Sequence, residues 1–246
     1  MENARKAIWP SMRTIESRTD SKVTQHFKER IQLPTLPSYS SITKATAFRL
    51  TWAMVLARYC DSDDITFGTT VSGRQAPVRG LETMAGPMVA TVPVRVQLVK
   101  AKLVSGYLAD VQDQAIDMVP YEQFGLQNIS KISPDMKEAV DFSSLLVVQP
   151  APLLLGKDGE ESDAVLSSDD RVREVSDKSV EGYFSYPLVV QCIVFNDCFD
   201  LLIVYDTTML DRELLKGLAR QFNHVTQQLM AHSDNLLLGD IEMAGD

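Results

Sequence analysis

The sequence predicts an α/β fold of the α+β kind: a mixed β-sheet with flanking helices. Three observations predict it. Apolar segments of helical and of strand period alternate along the chain, the strand-like segments are short and rich in Val, Ile and Leu, and the last two of them are separated by only three residues. A close hairpin ending an alternating pattern requires antiparallel pairing, so the sheet is mixed rather than purely parallel.

Residues 1–42 are polar and broken by Pro10, Pro34 and Pro37, and are expected to be an extended linker. The run TKATAFRLTWAMVLARY, residues 43–59, has no Gly or Pro and is apolar on nearly every side, which predicts a buried helix capped by Thr43. Residues 65–71 and 91–98 are strands. In the second, Val92, Val94, Val96 and Leu98 alternate with Pro93, Arg95 and Gln97. Val104, Tyr107, Leu108, Val111, Ala115 and Met118 recur at helical spacing until Pro120 stops the pattern. Residues 143–149, 188–195 and 199–205 are three more strands, the last two a hairpin turning at Asn196, Asp197 and Cys198. Between the third strand and that hairpin, residues 156–170 carry six acids against one lysine and are expected to be a solvated loop. Leu214, Leu215, Leu218, Phe222, Val225 and Leu229 mark a final amphipathic helix, capped by Asp211 and with Glu213 at the positive end of its dipole.

The 246 residues are 45% apolar and 23% charged, enough for a substantial core. The net charge of −9 repels a phosphate backbone and an anionic bilayer, which argues against nucleic acid and membrane partners. Three cysteines, Cys60, Cys192 and Cys198, lie in or beside apolar segments, the pattern of reduced cytoplasmic thiols.

No chemical constellation is complete. Gly68 to Gly73 has the glycine spacing of a phosphate loop, but Arg74, Gln75 and Pro77 follow where a lysine, a magnesium-binding hydroxyl and a helix start are required. His26, His224 and His232 form no site by spacing, the acidic run lacks calcium-loop spacing, and Cys192 with Cys198 has no further ligand for zinc. On the residues alone, no catalytic or metal-binding residue is assigned. What remains is a glycine-arginine turn, Ser72-Gly73-Arg74, at a strand end.

Several ordered segments resemble the condensation domain of fungal nonribosomal peptide synthetases. The helix AFRLTWAMVLARY followed by SDDITFGTTVSGRQAP is similar to the start of that family's C-terminal lobe, including its Ser-Gly-Arg turn. AGPMVATVPVRV, residues 85–96, is similar to the family's floor-loop motif, usually Ile-Gly-x-Phe-Val-Asn-Thr-x-Pro-x-Arg, at Gly86, Val89, Thr91, Pro93 and Arg95. It departs at Ala85, Met88 and Ala90. Val119-Pro120-Tyr121-Glu122 corresponds to Tyr-Pro-Phe-Glu, and residues 236–243 resemble the linker before an adenylation domain. The family's His-His-x-x-x-Asp-Gly motif, from the N-terminal lobe, has no counterpart, since the chain contains no His-His pair.

The resemblance implies one lobe of a chloramphenicol acetyltransferase-like fold: residues 1–42 as linker, 43–235 as the C-terminal lobe and 236–246 as the next linker. It implies a share in amide formation between carrier-bound thioesters. Ser72, Gly73, Arg74, Gly86, Pro87, Met88 and Thr91 would line the tunnel or the lobe interface, with Arg74 bridging to the Asp of the absent motif. No cofactor would be bound directly, the substrates arriving on the phosphopantetheine of a carrier protein. The implied partners are the N-terminal lobe, a carrier protein and an adenylation domain, and an uncovered inner face around Met84, Met88 and the following strand would promote self-association. A non-catalytic scaffold that docks a carrier protein or a synthetase is the alternative. A stand-alone acyltransferase would need its own histidine.

Overall fold

A computed structural model describes residues 9–10, 24–34, 42–74, 79–81, 84–86, 88–151, 185–231 and 235–243. In chain order its elements are β1 (Thr24–Gln32), α1 (Lys44–Cys60), β2 (Asp64–Val71), β3 (Ala90–Gln97), α2 (Val104–Met118), a 3-10 turn (Val119–Phe124), α3 (Leu126–Ile129), α4 (Pro134–Ala139), β4 (Ser144–Pro150), β5 (Leu188–Val194), β6 (Cys198–Asp206), α5 (Arg212–Met230) and a last 3-10 turn (Leu238–Asp240). The expected solvated loop, residues 156–170, lies outside the described residues.

The strands form one six-stranded sheet in the order β1-β6-β5-β4-β2-β3. β4 pairs in parallel with β2 and β5, while β1–β6, β5–β6 and β2–β3 are antiparallel, so the sheet is mixed as the sequence requires. The expected caps are present: the Thr43 side chain accepts from the Thr46 N–H, and Asp211 accepts from the Leu214 N–H. α1, α2 and α5 bury their apolar residues against one face of the sheet, where Phe48, Trp52, Phe199 and Phe222 pack together. The opposite face carries a smaller cluster of Phe142, Leu145, Val147, Val189, Leu202 and Val204. Gly68 lies inside β2 against the Phe142 ring, where a Cβ would fall 2.0 Å from the ring, so its glycine serves sheet packing and not a phosphate loop.

Two segments read as linkers hold structure. Residues 24–32, inside the expected linker, form the edge strand β1, paired with β6 along its whole length. The polar sequence concealed a real alternation: Phe27 and Ile31 oppose Ile203 and Phe199 on the helix-covered face, while Lys28 and Arg30 oppose Leu202 and Asp200 on the other. An edge strand tolerates such polarity. At the other end, the Val104 N–H donates to Leu236 O, the Leu238 and Gly239 N–H groups donate to Lys102 O and Lys100 O, and Leu238 and Ile241 are buried.

Asp200 is 2% exposed and is held by two cations of β1. Arg30 grips it with Nε at 2.6 Å and Nη2 at 3.0 Å, and Lys28 Nζ lies at 3.2 Å. Burial pushes the Asp200 carboxyl up, but the hydrogen bonds from Arg30 and Lys28 outweigh it and hold the group below its ordinary range. A folded pKa below the unfolded one stabilises the chain above pH of about 4 and loses that contribution as pH falls through the folded value. Asp200→Asn should therefore flatten the acid limb of a stability-against-pH curve below about pH 4. An unchanged acid limb, measured by urea unfolding, would contradict this assignment.

Candidate functional site

Gly73 follows the end of β2 with φ of +65°, a conformation that favours glycine. The space requires it as well, because a Cβ there would lie 2.0 Å from Met88 O and 2.2 Å from Gln123 Nε2. The backbone of the loop before β3 therefore passes directly over this turn. Ser72 closes the turn locally, its Oγ accepting from the Arg74 N–H at 3.4 Å.

Arg74 binds the same loop from its other side. Nη1 donates to Leu81 O at 3.2 Å and to Met84 O at 2.8 Å, and Nη2 donates to Gly86 O at 2.8 Å. One guanidinium thus gathers three carbonyls of residues 81–86, using three of its five N–H groups. The structure brings together Ser72, Gly73, Arg74, Gly86 and Met88 in this way. Thr91 sits apart from the turn, in β3 opposite Thr70, and Pro87 lies outside the described residues. Arg95, also of the floor-loop motif, is held by Asp64, with Nε to Oδ1 at 2.8 Å and Nη2 to Oδ2 at 2.6 Å. That hydrogen-bonded carboxylate fixes it as a charged guanidinium.

Sequence reasoning missed the 3-10 turn that supports these residues. Pro120 ends α2 as expected, but the chain continues through Val119–Phe124 and aims two side chains at the turn and loop. Gln123 Nε2 donates to Met88 O at 2.7 Å, and Glu122 lies near the Gly73 amide and the Arg49 guanidinium. Glu122 is only 6% exposed. Burial pushes its carboxyl up, against the opposing pull of the Arg49 guanidinium and the Gly73 amide. Burial likewise lowers the Arg49 pKa. Glu122 Oε2 and Arg49 Nε have no hydrogen-bond partner among the described residues. The acid in Pro120-Tyr121-Glu122 was visible in the sequence, but its burial near Arg49 was not.

Met84, Val89, Tyr121 and Phe124 are exposed around this assembly, as expected for Met84. The expectation fails for the following strand, because Val92, Val94 and Val96 are buried in the sheet. A cavity of about 320 Å³ between β3 and α2, lined by Arg95, Gln97, Tyr107, Asp110 and Gln114 among others, includes none of the turn or loop residues. Among the described residues no three His, Cys, Asp or Glu side chains cluster to hold a metal, and no helix is long and apolar enough to cross a membrane.

Residues 10–243 match the family model of the condensation domain. A nonribosomal peptide synthetase of Aspergillus violaceofuscus is 39% identical over 188 residues, which are 76% of this chain and 2% of that protein. Another from Gibberella zeae is 33% identical over 219 residues, 89% of this chain and 3% of that protein. This chain therefore spans only a small part of such relatives. The crystal structure of the starter condensation domain of the rhizomide synthetase RzmA superposes with a TM-score of 0.58 at 13% identity, covering 90% of this chain and 49% of that one. A four-domain nonribosomal peptide synthetase bound to AMP and glycine gives a TM-score of 0.61 at 11% identity, covering 90% and 18%.

Proposed function

The chain belongs to the condensation-domain family, and from that premise we propose that it is the C-terminal lobe of a fungal-type nonribosomal peptide synthetase condensation domain. Its function in this reading is a share in amide formation between carrier-bound aminoacyl or peptidyl thioesters in secondary-metabolite biosynthesis. The observation that carries the reading is the coverage: nine-tenths of this chain corresponds to half of a solved condensation domain. The order of the motifs, with the Ser-Gly-Arg turn and the floor-loop motif leading the match, supports the C-terminal half.

The reaction has the acceptor amine attack the donor thioester carbonyl, so that a C–N bond forms, the C–S bond breaks and the thiol of the carrier's phosphopantetheine leaves. It needs a group to take the amine proton and donors for the developing oxyanion. The histidine for the first comes from the N-terminal lobe. This lobe contributes a floor: Met84, Gly86 and Met88, the first two fastened by Arg74 and the third by Gln123, with substrate orientation as its effect. Arg74 has two N–H groups with no partner among the described residues, which supports a role in bridging to the aspartate of the other lobe. The exposed Met84, Val89, Tyr121 and Phe124 suit burial under that lobe. Beyond the N-terminal lobe, the partners are a carrier protein and an adenylation domain reached through residues 236–246.

Reconstitution tests the reading. The purified chain should form no amide from an aminoacyl thioester and an amine, whereas the chain joined to an N-terminal lobe bearing His-His-x-x-x-Asp-Gly should form it, detected by mass spectrometry. Arg74→Ala should slow the joined enzyme by about tenfold, the scale of a charge-assisted hydrogen bond. Turnover by the isolated chain that is lost in His224→Ala would overturn the assignment.

A further inference from the structure

Residues 236–243, which follow α5, are held from two sides. On one side the Val104 N–H donates to Leu236 O at 2.8 Å, the Leu238 N–H to Lys102 O at 2.9 Å and the Gly239 N–H to Lys100 O at 2.9 Å, with Leu103 and Leu237 paired as an antiparallel bridge. On the other side Gln228 of α5 takes both backbone groups of Glu242: its Nε2 donates to Glu242 O at 2.7 Å and its Oε1 accepts from the Glu242 N–H at 2.9 Å. Between these attachments Leu238 and Ile241 are buried in the main core.

We propose that residues 236–243 are a strap belonging to the lobe, with Gln228 as its lock, so that the pivot toward an attached adenylation domain lies beyond Met243. The adenylation domain enters from the functional reading above, on which that clause rests, whereas the strap stands on the bonds just given. A linker leaves its main chain to water; this segment gives its backbone groups to protein partners and sinks two apolar side chains, three residues apart, into the core. A primary amide carries one donor group and one acceptor, as a peptide group does, so Gln228 pairs with Glu242 as a neighbouring strand would. It reads main chain only, and the Glu242 residue stays exposed. Gly239 lets the two chains close up, since a Cβ there would lie 3.1 Å from both Cβ and O of Lys100. The strap also completes α2. Leu103, the N-cap of that helix, has no side-chain acceptor, and Leu236 O takes the Val104 N–H that would otherwise be left without an intrahelical partner. α5 thereby secures the start of α2 through a segment that is part of neither helix.

Hydrogen exchange on the full chain tests the lock. Gln228→Ala, which puts a good helix former into α5, should speed exchange at Leu238, Gly239, Glu242 and Val104 by tenfold or more, with β5 and β6 unchanged. Glu242→Ala keeps the main chain and should stay within about twofold of the wild type, whereas Glu242→Pro removes the N–H and should behave like Gln228→Ala. Unchanged exchange in Gln228→Ala, an equal effect from Glu242→Ala, or acceleration spread through β5 and β6 would overturn the proposal. Backbone relaxation locates the pivot: residues 236–243 should have the order parameters of α5, about 0.85, and values below about 0.6 would place the pivot inside the segment and refute the strap. Neither measurement uses activity. If the joined two-lobe enzyme makes no amide, the functional reading fails and the adenylation domain goes with it, while exchange and relaxation still decide the strap.

Discussion

Replacing Phe222 with alanine is expected to destabilise the chain by about 3–5 kcal/mol, a large share of the about 5–15 kcal/mol that typically holds a domain folded. Phe222 is fully buried on α5, with ring centroids of Phe48 at 6.0 Å, Phe199 at 6.2 Å and Trp52 at 6.4 Å. It therefore touches α1 and β6 at once. Its removal leaves a hole bordered by two helices and the sheet, which cannot all close in together, so both transfer and cavity costs apply. Chemical denaturation monitored by Trp52 fluorescence measures it. A loss below about 1 kcal/mol would mean that the three elements do not meet at this ring.

The second large effect is at Gly73. Alanine there meets two separate penalties: a left-handed backbone, worth about 1–2 kcal/mol, and a Cβ placed 2.0 Å from a backbone carbonyl that cannot swing aside. Gly80 isolates the first penalty, since it has φ of +83° with no atom within 4 Å of a built Cβ. Gly80→Ala should cost about 1 kcal/mol, whereas Gly73→Ala should cost clearly more and slow the joined two-lobe enzyme by about a hundredfold, because the loop must shift on the ångström scale. Equal costs at the two glycines, from matched thermal unfolding curves, would remove the close approach from the account.

Most of the sheet was legible because burial imposes a period. α1, α2, α5 and strands β2 to β6 fall within about two residues of their expected ends, each carrying an apolar pattern that needs no knowledge of partners. β1 was not legible, since Lys28 and Arg30 acquire their meaning only from Asp200, and an isolated reading of TQHFKERIQ finds a polar linker. The site divides along the same line. The Ser72–Arg74 turn and Gly86 were visible as local chemistry, and Arg74 reaches its carbonyls within 12 residues. Gln123 meets Met88 across 35 residues, and no pattern within the Val119–Phe124 segment announces that bond.

The placement of β1 beside β6 also governs the order in which the molecule can be built. Arg30 and Asp200 are separated by 170 residues, so a chain emerging from a ribosome carries β1 outside, with no β6 to pair with, until those residues have followed it. Helices α1 to α4 and the β2–β3 pair can form from what has already emerged, but the sheet acquires this edge only after β6 appears. A waiting strand of apolar residues would invite pairing with neighbouring chains. His26, Lys28, Glu29 and Arg30 keep this one soluble until its mate arrives, so the same polarity that hid it from view protects it during birth.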